Sequence, residues 1–397
     1  MMEEVDPRVA IARELGETDP PWIRPRAAYV HIPFCAHKCG YCDFASVAGA
    51  ESRIDDYLNA LALEIEAVLG EPRLMTTVFV GGGTPTYVSA EQLERFLATV
   101  NRWLPVEPGG EFTVESNPNT LTEDKVAALV GGGVNRVSLG AQSFQTAHLA
   151  TLERNHEPAS VGRALELLRP RIENVSIDLI FGVPGQTLAE WESDVAMATS
   201  LATPHCSAYG LTFEKGTRLW KQKELGIVTQ TDEELERAMF ETAAERFSAA
   251  GLLRYEISNF AAKPERRCRH NQVYWANHAY FGFGTGAAAY AGGLRTLNTR
   301  DLDSYIRRAR ESHSPVTQAE RLEADARARE TAMLNLRRAE GLDRAEFQKQ
   351  TGVAFEDLAP KKLAAFVSQG LLEDAGGRVR FTPDGLLLAD GVLAAFL

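Results

Sequence analysis

The stretch that decides the fold is Ala28-Tyr29-Val30-His31-Ile32-Pro33-Phe34-Cys35-Ala36-His37-Lys38-Cys39-Gly40-Tyr41-Cys42. It reads as a short apolar strand, Ala28–Ile32, stopped by Pro33 and followed by a loop that crowds three cysteines into eight positions. Working outward, similar strand signals recur at Thr77–Val80, Phe112–Glu115, Arg136–Leu139, Val175–Phe181 and Ser207–Thr212. They are short, rich in Val, Ile and Phe, and read as apolar on both faces. Helical periodicity fills the gaps: Ile54–Leu69, Ala90–Trp103, Thr122–Leu129, Ala159–Leu168 and Leu188–Leu201. Ser89 with Gln92 forms a capping-box signature, and Thr122 reads as an N-cap. Buried strands alternating with helices predict an α/β fold with a parallel sheet, and six such units fit a partial (β/α)6 barrel.

The 397 residues are 45% hydrophobic and 24% charged, which excludes a disordered or disulfide-stapled chain. A net charge of −12 argues against a broad nucleic-acid or anionic-membrane surface. No apolar run is long enough to span a membrane; the least polar, Tyr280–Leu294, carries five glycines and reads as a tight-turning loop. Glu3, Glu4, Asp6 and Arg8 leave no apolar signal core, and clustered rather than scattered cysteines point to a reducing compartment. The expected setting is the cytoplasm.

Residues 1–26 read as a leader and 27–230 as the barrel. Residues 231–315 read as a linking and binding region, with a helix over 231–250. A charged helical stretch spans about 318–338. The C-terminal domain, 316–397, reads as smaller, α+β and winged-helix-like, with two short strands around Ala375-Gly376-Gly377. It shows no basic excess, so a capping role is preferred there to DNA binding.

Cys35, Cys39 and Cys42, spaced CxxxCxxC, suit three corners of a 4Fe–4S cluster and leave the fourth iron open. An open iron is what S-adenosylmethionine needs to chelate through its amino and carboxylate groups. Spacing alone leaves two alternatives: structural zinc with His31 or His37, and a redox-sensing thiol group. Gly81-Gly82-Gly83-Thr84-Pro85 follows the second strand; its glycines permit close backbone approach, and free amides there could bind a carboxylate. Glu115, Gln142 and Asp178 lie at strand ends, with Arg154 shortly after Gln142. Singly each reads as a cap or ion pair, but β/α sites are built at strand ends.

Tyr29-Val-His-Ile-Pro-Phe-Cys35, the CxxxCxxC spacing and Tyr41 before the last cysteine resemble the radical S-adenosylmethionine superfamily, and more narrowly its oxygen-independent coproporphyrinogen oxidase-like branch. The resemblance runs from about Ala27 to the C-terminus. It implies that Cys35, Cys39 and Cys42 carry the cluster. It further implies that Tyr29, Tyr41, Gly81, Gly82, Gly83, Thr84, Glu115, Gln142, Arg154 and Asp178 bind the cofactor.

Two features separate branches of this family. The dehydrogenases carry a further cysteine two positions after the third; here that position is Phe44. Cys268-Arg-His270-Asn271-Gln-Val-Tyr274-Trp275, an HNxxYW motif, resembles the heme-chaperone branch. An imidazole beside a thiol and two aromatics offers heme an axial ligand in His270 and stacking surfaces, although the bare residues, without the resemblance, read first as a packed aromatic corner. The resemblance implies heme binding and transfer to apo-hemoproteins such as those of the respiratory chain, with homodimerisation and peripheral membrane contact. The competing expectation is a coproporphyrinogen III dehydrogenase. Cys206, inside the sixth strand signal, reads as a small buried hydrophobe.

Overall fold

The computed structural model describes residues 6–396; the polar start at Glu3 and Glu4 lies outside them. Six strands form the body: β1 (Ala27–Ile32), β2 (Met75–Gly82), β3 (Val106–Ser116), β4 (Arg136–Gln142), β5 (Asn174–Phe181) and β6 (His205–Gly210). They pair in parallel and in chain order. Right-handed crossovers between sequential neighbours put every connecting helix on one face. The other face is thereby left to line an interior, and the sheet is a part-closed barrel.

The covering helices are α1 (Ile54–Leu69), α2 (Ala90–Trp103), α3 (Glu123–Gly131), α4 (Ala159–Leu168) and α5 (Leu188–Ser200). Tyr57, Leu61, Ile65 and Val68 make one buried stripe of α1, each fully buried apolar side chain contributing about 1.5–3 kcal/mol. The Ser89–Gln92 capping box is present in full, and the Thr122 hydroxyl accepts from the Lys125 amide. Thr187 and Glu190 make a second capping box at the start of α5.

Three expectations change. Tyr280–Leu294 is not a loop: Phe281–Phe283 is a seventh parallel strand beside β1, and Ala288–Ala291 begins an antiparallel three-stranded sheet. Within 318–338 only Ala324–Leu336 is helical, because Val316–Glu320 pairs as a strand with Leu294–Asn298. The leader contains a helix, Pro7–Glu14, capped by Asp6. Its Arg8 is buried, paired to Glu64 at 2.8 Å, and donates to the Gly282 carbonyl.

Residues 231–315 complete the barrel sheet at both edges, with Asn259–Ala261 and Leu253–Arg254 antiparallel beyond β6. The C-terminal unit has its own core around Phe347, Phe355, Val379 and Phe396. Its three short strands, Leu342–Asp343, Leu372–Asp374 and Arg378–Phe381, make the wing. No helix among the described residues is long and apolar enough to cross a membrane.

Candidate functional site

Pro33 ends β1, and Phe34–Cys35 then pairs with Val47–Ala48, so the cysteine loop leaves and returns at one edge of the barrel mouth. The loop is pinned at Gly40, whose amide donates to Leu152 and whose carbonyl accepts from the Leu219 amide. All five cysteines are free thiols. Cys35 lies 3.7 Å from the Thr84 hydroxyl and Cys42 lies 3.9 Å from the Ser46 hydroxyl. The Arg154 guanidinium reaches Cys39 at 3.5 Å. Burial pushes the Cys35 thiol up to about 11 and raises Cys42 as well, so these sites hold thiolate only when a cation neutralises it.

Neither histidine is placed for the zinc alternative. His31 spends both ring nitrogens, on the Tyr29 hydroxyl at 3.0 Å and the Ala45 carbonyl at 3.0 Å, and His37 contacts Glu153 at 3.4 Å. Among the described residues no three His, Cys, Asp or Glu side chains close on one ion-sized point. Three thiols that line one cavity are a donor set suited to three corners of a multi-iron cluster.

The three thiols face a cavity of about 590 Å³ inside the barrel. Tyr41, Gly82, Gly83 and Thr84 line its upper wall, and Glu115, Gln142, Arg154 and Asp178 line its interior. Tyr29 and Gly81 do not reach it: Tyr29 stacks on Phe79 behind the wall, and Gly81 gives room for the Glu115 carboxylate.

The amides of the glycine loop are engaged rather than free. Gly82 donates to Glu115 at 3.1 Å, Gly83 to the Ile32 carbonyl and Thr84 to the Phe34 carbonyl, both at 2.8 Å. A Cβ at Gly83 would meet the Pro33 carbonyl carbon at 2.7 Å. The loop is therefore glycine because it packs directly on the start of the cysteine loop.

Glu115 is half-buried, and desolvation pushes its carboxyl up to about 7, against the Gly82 amide that favours the anion. Gln142 takes a left-handed backbone, φ 65°, at a bulge in the β4–β5 register, which turns its side chain inward. Arg154 anchors on the Gly140 carbonyl at 2.8 Å and stays charged beside Cys39 and Tyr41, whose hydroxyl burial pushes up. Asp178 accepts hydrogen bonds from three serines, Ser176 on its own strand at 2.9 Å and Ser138 and Ser207 on the two flanking strands, each at 2.7 Å.

His270 is not brought to the cavity. It is fully buried, with Nδ1 on the Thr77 hydroxyl and Nε2 on the Tyr274 hydroxyl, each at 2.9 Å. It stacks on Phe79, and burial depresses its pKa to about 3, so the ring is neutral. This is the packed aromatic corner. The motif residue that does line the cavity is its neighbour, Asn271. Phe44 stands at the cavity mouth with 60% of its surface exposed.

The interior polar groups Arg136, Ser138, Ser176, His205, Ser207 and Asn259 were not anticipated. Their signal lies in strands read as apolar on both faces: Arg136, Ser138, Gly140 and Gln142 alternate with Val137, Leu139 and Ala141. Ser176 with Asp178 and His205 with Ser207 repeat that period of two.

Residues 29–198 match the Radical SAM superfamily and residues 322–388 match the HemN C-terminal domain. The chain is similar to Heme chaperone HemW of Bacillus subtilis, 38% identical over 377 residues that cover 94% of this chain and 99% of the relative. It is similar to Heme chaperone HemW of Escherichia coli, 34% identical over 383 residues covering 94% and 98% of the two chains. In fold it is similar to the solved coproporphyrinogen III oxidase HemN from Escherichia coli, with a TM-score of 0.83, 22% identity and coverage of 94% and 90%.

Proposed function

Because the chain belongs to the heme chaperone HemW family, within the radical SAM superfamily, we propose that it binds heme and passes it to apo-hemoproteins. It does so with a 4Fe–4S cluster on Cys35, Cys39 and Cys42 and with S-adenosylmethionine in the barrel. One observation carries the reading. Three unpaired thiols and the polar groups Glu115, Gln142, Arg154 and Asp178 share one cavity, and Phe44 stands where the resembled dehydrogenases have a further cysteine.

When bound, the cluster supplies an open iron for the cofactor and a one-electron reductant for its sulfonium. The protein's own groups bind and orient. Arg154 offsets thiolate charge at Cys39. Glu115 and Asp178 present carboxylate oxygens to the ammonium or ribose hydroxyls of the cofactor, Asp178 fixed in place by its three serines. The Gly82–Thr84 loop gives the methionine end a close backbone wall. Tyr41, Ile180 and Leu211 keep the inner cavity dry.

The same reading places the protein in the cytoplasm, as a homodimer that meets acceptors at the membrane face. The test is anaerobic incubation of the reconstituted protein with S-adenosylmethionine, reductant and coproporphyrinogen III, alongside a heme titration. A Soret band with stoichiometric heme and no protoporphyrinogen is expected. Catalytic protoporphyrinogen formation would make the chain a dehydrogenase and overturn the reading.

A further inference from the structure

Toward the N-terminal ends of the strands, below Glu115 and Asp178, the cavity ends on Arg136 and Asn271. Arg136 is only 2% exposed and projects from β4 on the same face as Ser138 and Gln142. Of its five N–H donors one is used, a 3.5 Å contact from Nη2 to His205 Nδ1, and Nε is buried without a partner.

The acidic groups around it are spoken for. Glu111 accepts from the Arg269 and His270 amides at 2.9 and 3.1 Å and from the Cys268 thiol. Asp178 accepts from its three serines, and no carboxylate ion-pairs with Arg136 among the described residues. Thr113, its neighbour across the β3–β4 register, has a buried hydroxyl that is also unpartnered. The Asn271 side chain has no hydrogen bond among the described residues and faces the same space. A buried guanidinium left this open is costly unless an acceptor reaches it from the cavity. The planar fork of Arg matches a carboxylate.

We propose that Arg136 and Asn271 form a carboxylate subsite on the cavity floor, filled by a ligand that enters the barrel. The inference rests on the heme-binding reading for its occupant. S-adenosylmethionine spends its carboxylate on the open iron in that reading, which leaves a heme propionate to reach the floor. Asn271 donates its amide to one oxygen while Arg136 holds the other. The Asn of the HNxxYW motif is thereby a ligand contact, and its His is a packing residue.

The test is a cycle on the full-length, anaerobically reconstituted protein, with ligand and residue altered together. Heme is compared with heme dimethyl ester, and S-adenosylmethionine with its decarboxylated form, against wild type, Asn271→Ala and Arg136→Lys. Charge-assisted pairing predicts that wild type prefers free heme to its ester by roughly ten- to a hundredfold. Each variant is expected to shrink that preference at least about fivefold while leaving ester affinity unchanged. Asn271→Ala, at a half-buried side chain with no hydrogen bond to lose among the described residues, keeps the test valid if Arg136→Lys folds poorly.

Equal losses for acid and ester, or an undiminished preference in both variants, overturn the subsite. Heme that binds with no acid preference sinks the subsite and spares the chaperone reading. A wild type that binds no heme sinks that reading, and the subsite then stands only if the cofactor arm shows the coupling.

Discussion

Gly83→Ala tests the contact between the glycine loop and the cysteine loop. An added Cβ would stand 2.7 Å from the Pro33 carbonyl carbon and 2.8 Å from the Phe34 carbonyl oxygen, where ordinary contact begins at 3.4 Å. The shortfall is 3.4 − 2.7 = 0.7 Å. Both obstacles are backbone, so no side chain can swing aside, and one loop must move. Overpacking of this kind costs about 1–3 kcal/mol. The shift also loosens the Gly83-to-Ile32 and Thr84-to-Phe34 hydrogen bonds, each contributing about 1 kcal/mol. Together roughly 2–5 kcal/mol is expected, with Cys35 displaced from its place beside Thr84. The assay is urea unfolding of the cluster-free protein, paired with iron and sulfide content after anaerobic reconstitution. A Gly83→Ala protein of unchanged stability and full cluster content would refute the argument that this glycine sets the cysteine loop.

Other expectations follow from the same geometry. Arg8→Ala strips a buried ion pair from Glu64 and should destabilise the protein by about 3–5 kcal/mol, read as a lower urea midpoint; no change would mean that the leader helix is ornamental. His270→Ala strands the Thr77 and Tyr274 hydroxyls and empties the aromatic corner, so heme-free stability should fall by about 3 kcal/mol. For Glu115 the sign is fixed by its raised pKa. The native state holds a proton that the unfolded state has released, so this residue's stability contribution is present below about 4.5 and drains away as pH rises to about 7. Glu115→Gln should flatten that decline, worth about 3 kcal/mol, and remove any rise in S-adenosylmethionine affinity through pH 7; identical pH profiles for variant and wild type would contradict the burial argument.

The barrel was legible because its strands and helices carry strong local periods: α1, α2 and α4 fall on their expected limits. The cysteine loop, Glu115, Gln142, Arg154 and Asp178 were legible as motif positions, of which Glu115 and Gln142 stand at strand ends, Asp178 in mid-strand and Arg154 in the loop after a short helix. Phe281–Phe283 was not, because glycines on either side of Phe283 look like turn signals. Gly282 is glycine there since a Cβ would collide with the Ala288 carbonyl, a packing reason that no local pattern announces. The polar lining was overlooked because Val137, Leu139 and Ile177 dominate their strands, and only a count of alternate positions exposes Arg136, Ser138 and Ser176. His270 and Asn271 are adjacent letters, and only the path of the Arg269–Trp275 helix decides which one meets the cavity. Burial of Arg8 is a long-range pairing with Glu64, invisible in a single helix of eight residues.

The central claim is heme delivery by a cluster-bearing barrel. It is tested most directly by mixing the reconstituted, heme-loaded protein with an apo-hemoprotein under anaerobic conditions and following the Soret band of the acceptor. The account predicts that the acceptor fills faster than heme's unaided dissociation allows. It also predicts loss of that acceleration in Cys39→Ala, where one of the three thiol ligands is gone. Filling no faster than spontaneous release, or undiminished acceleration in the cysteine variant, would contradict it.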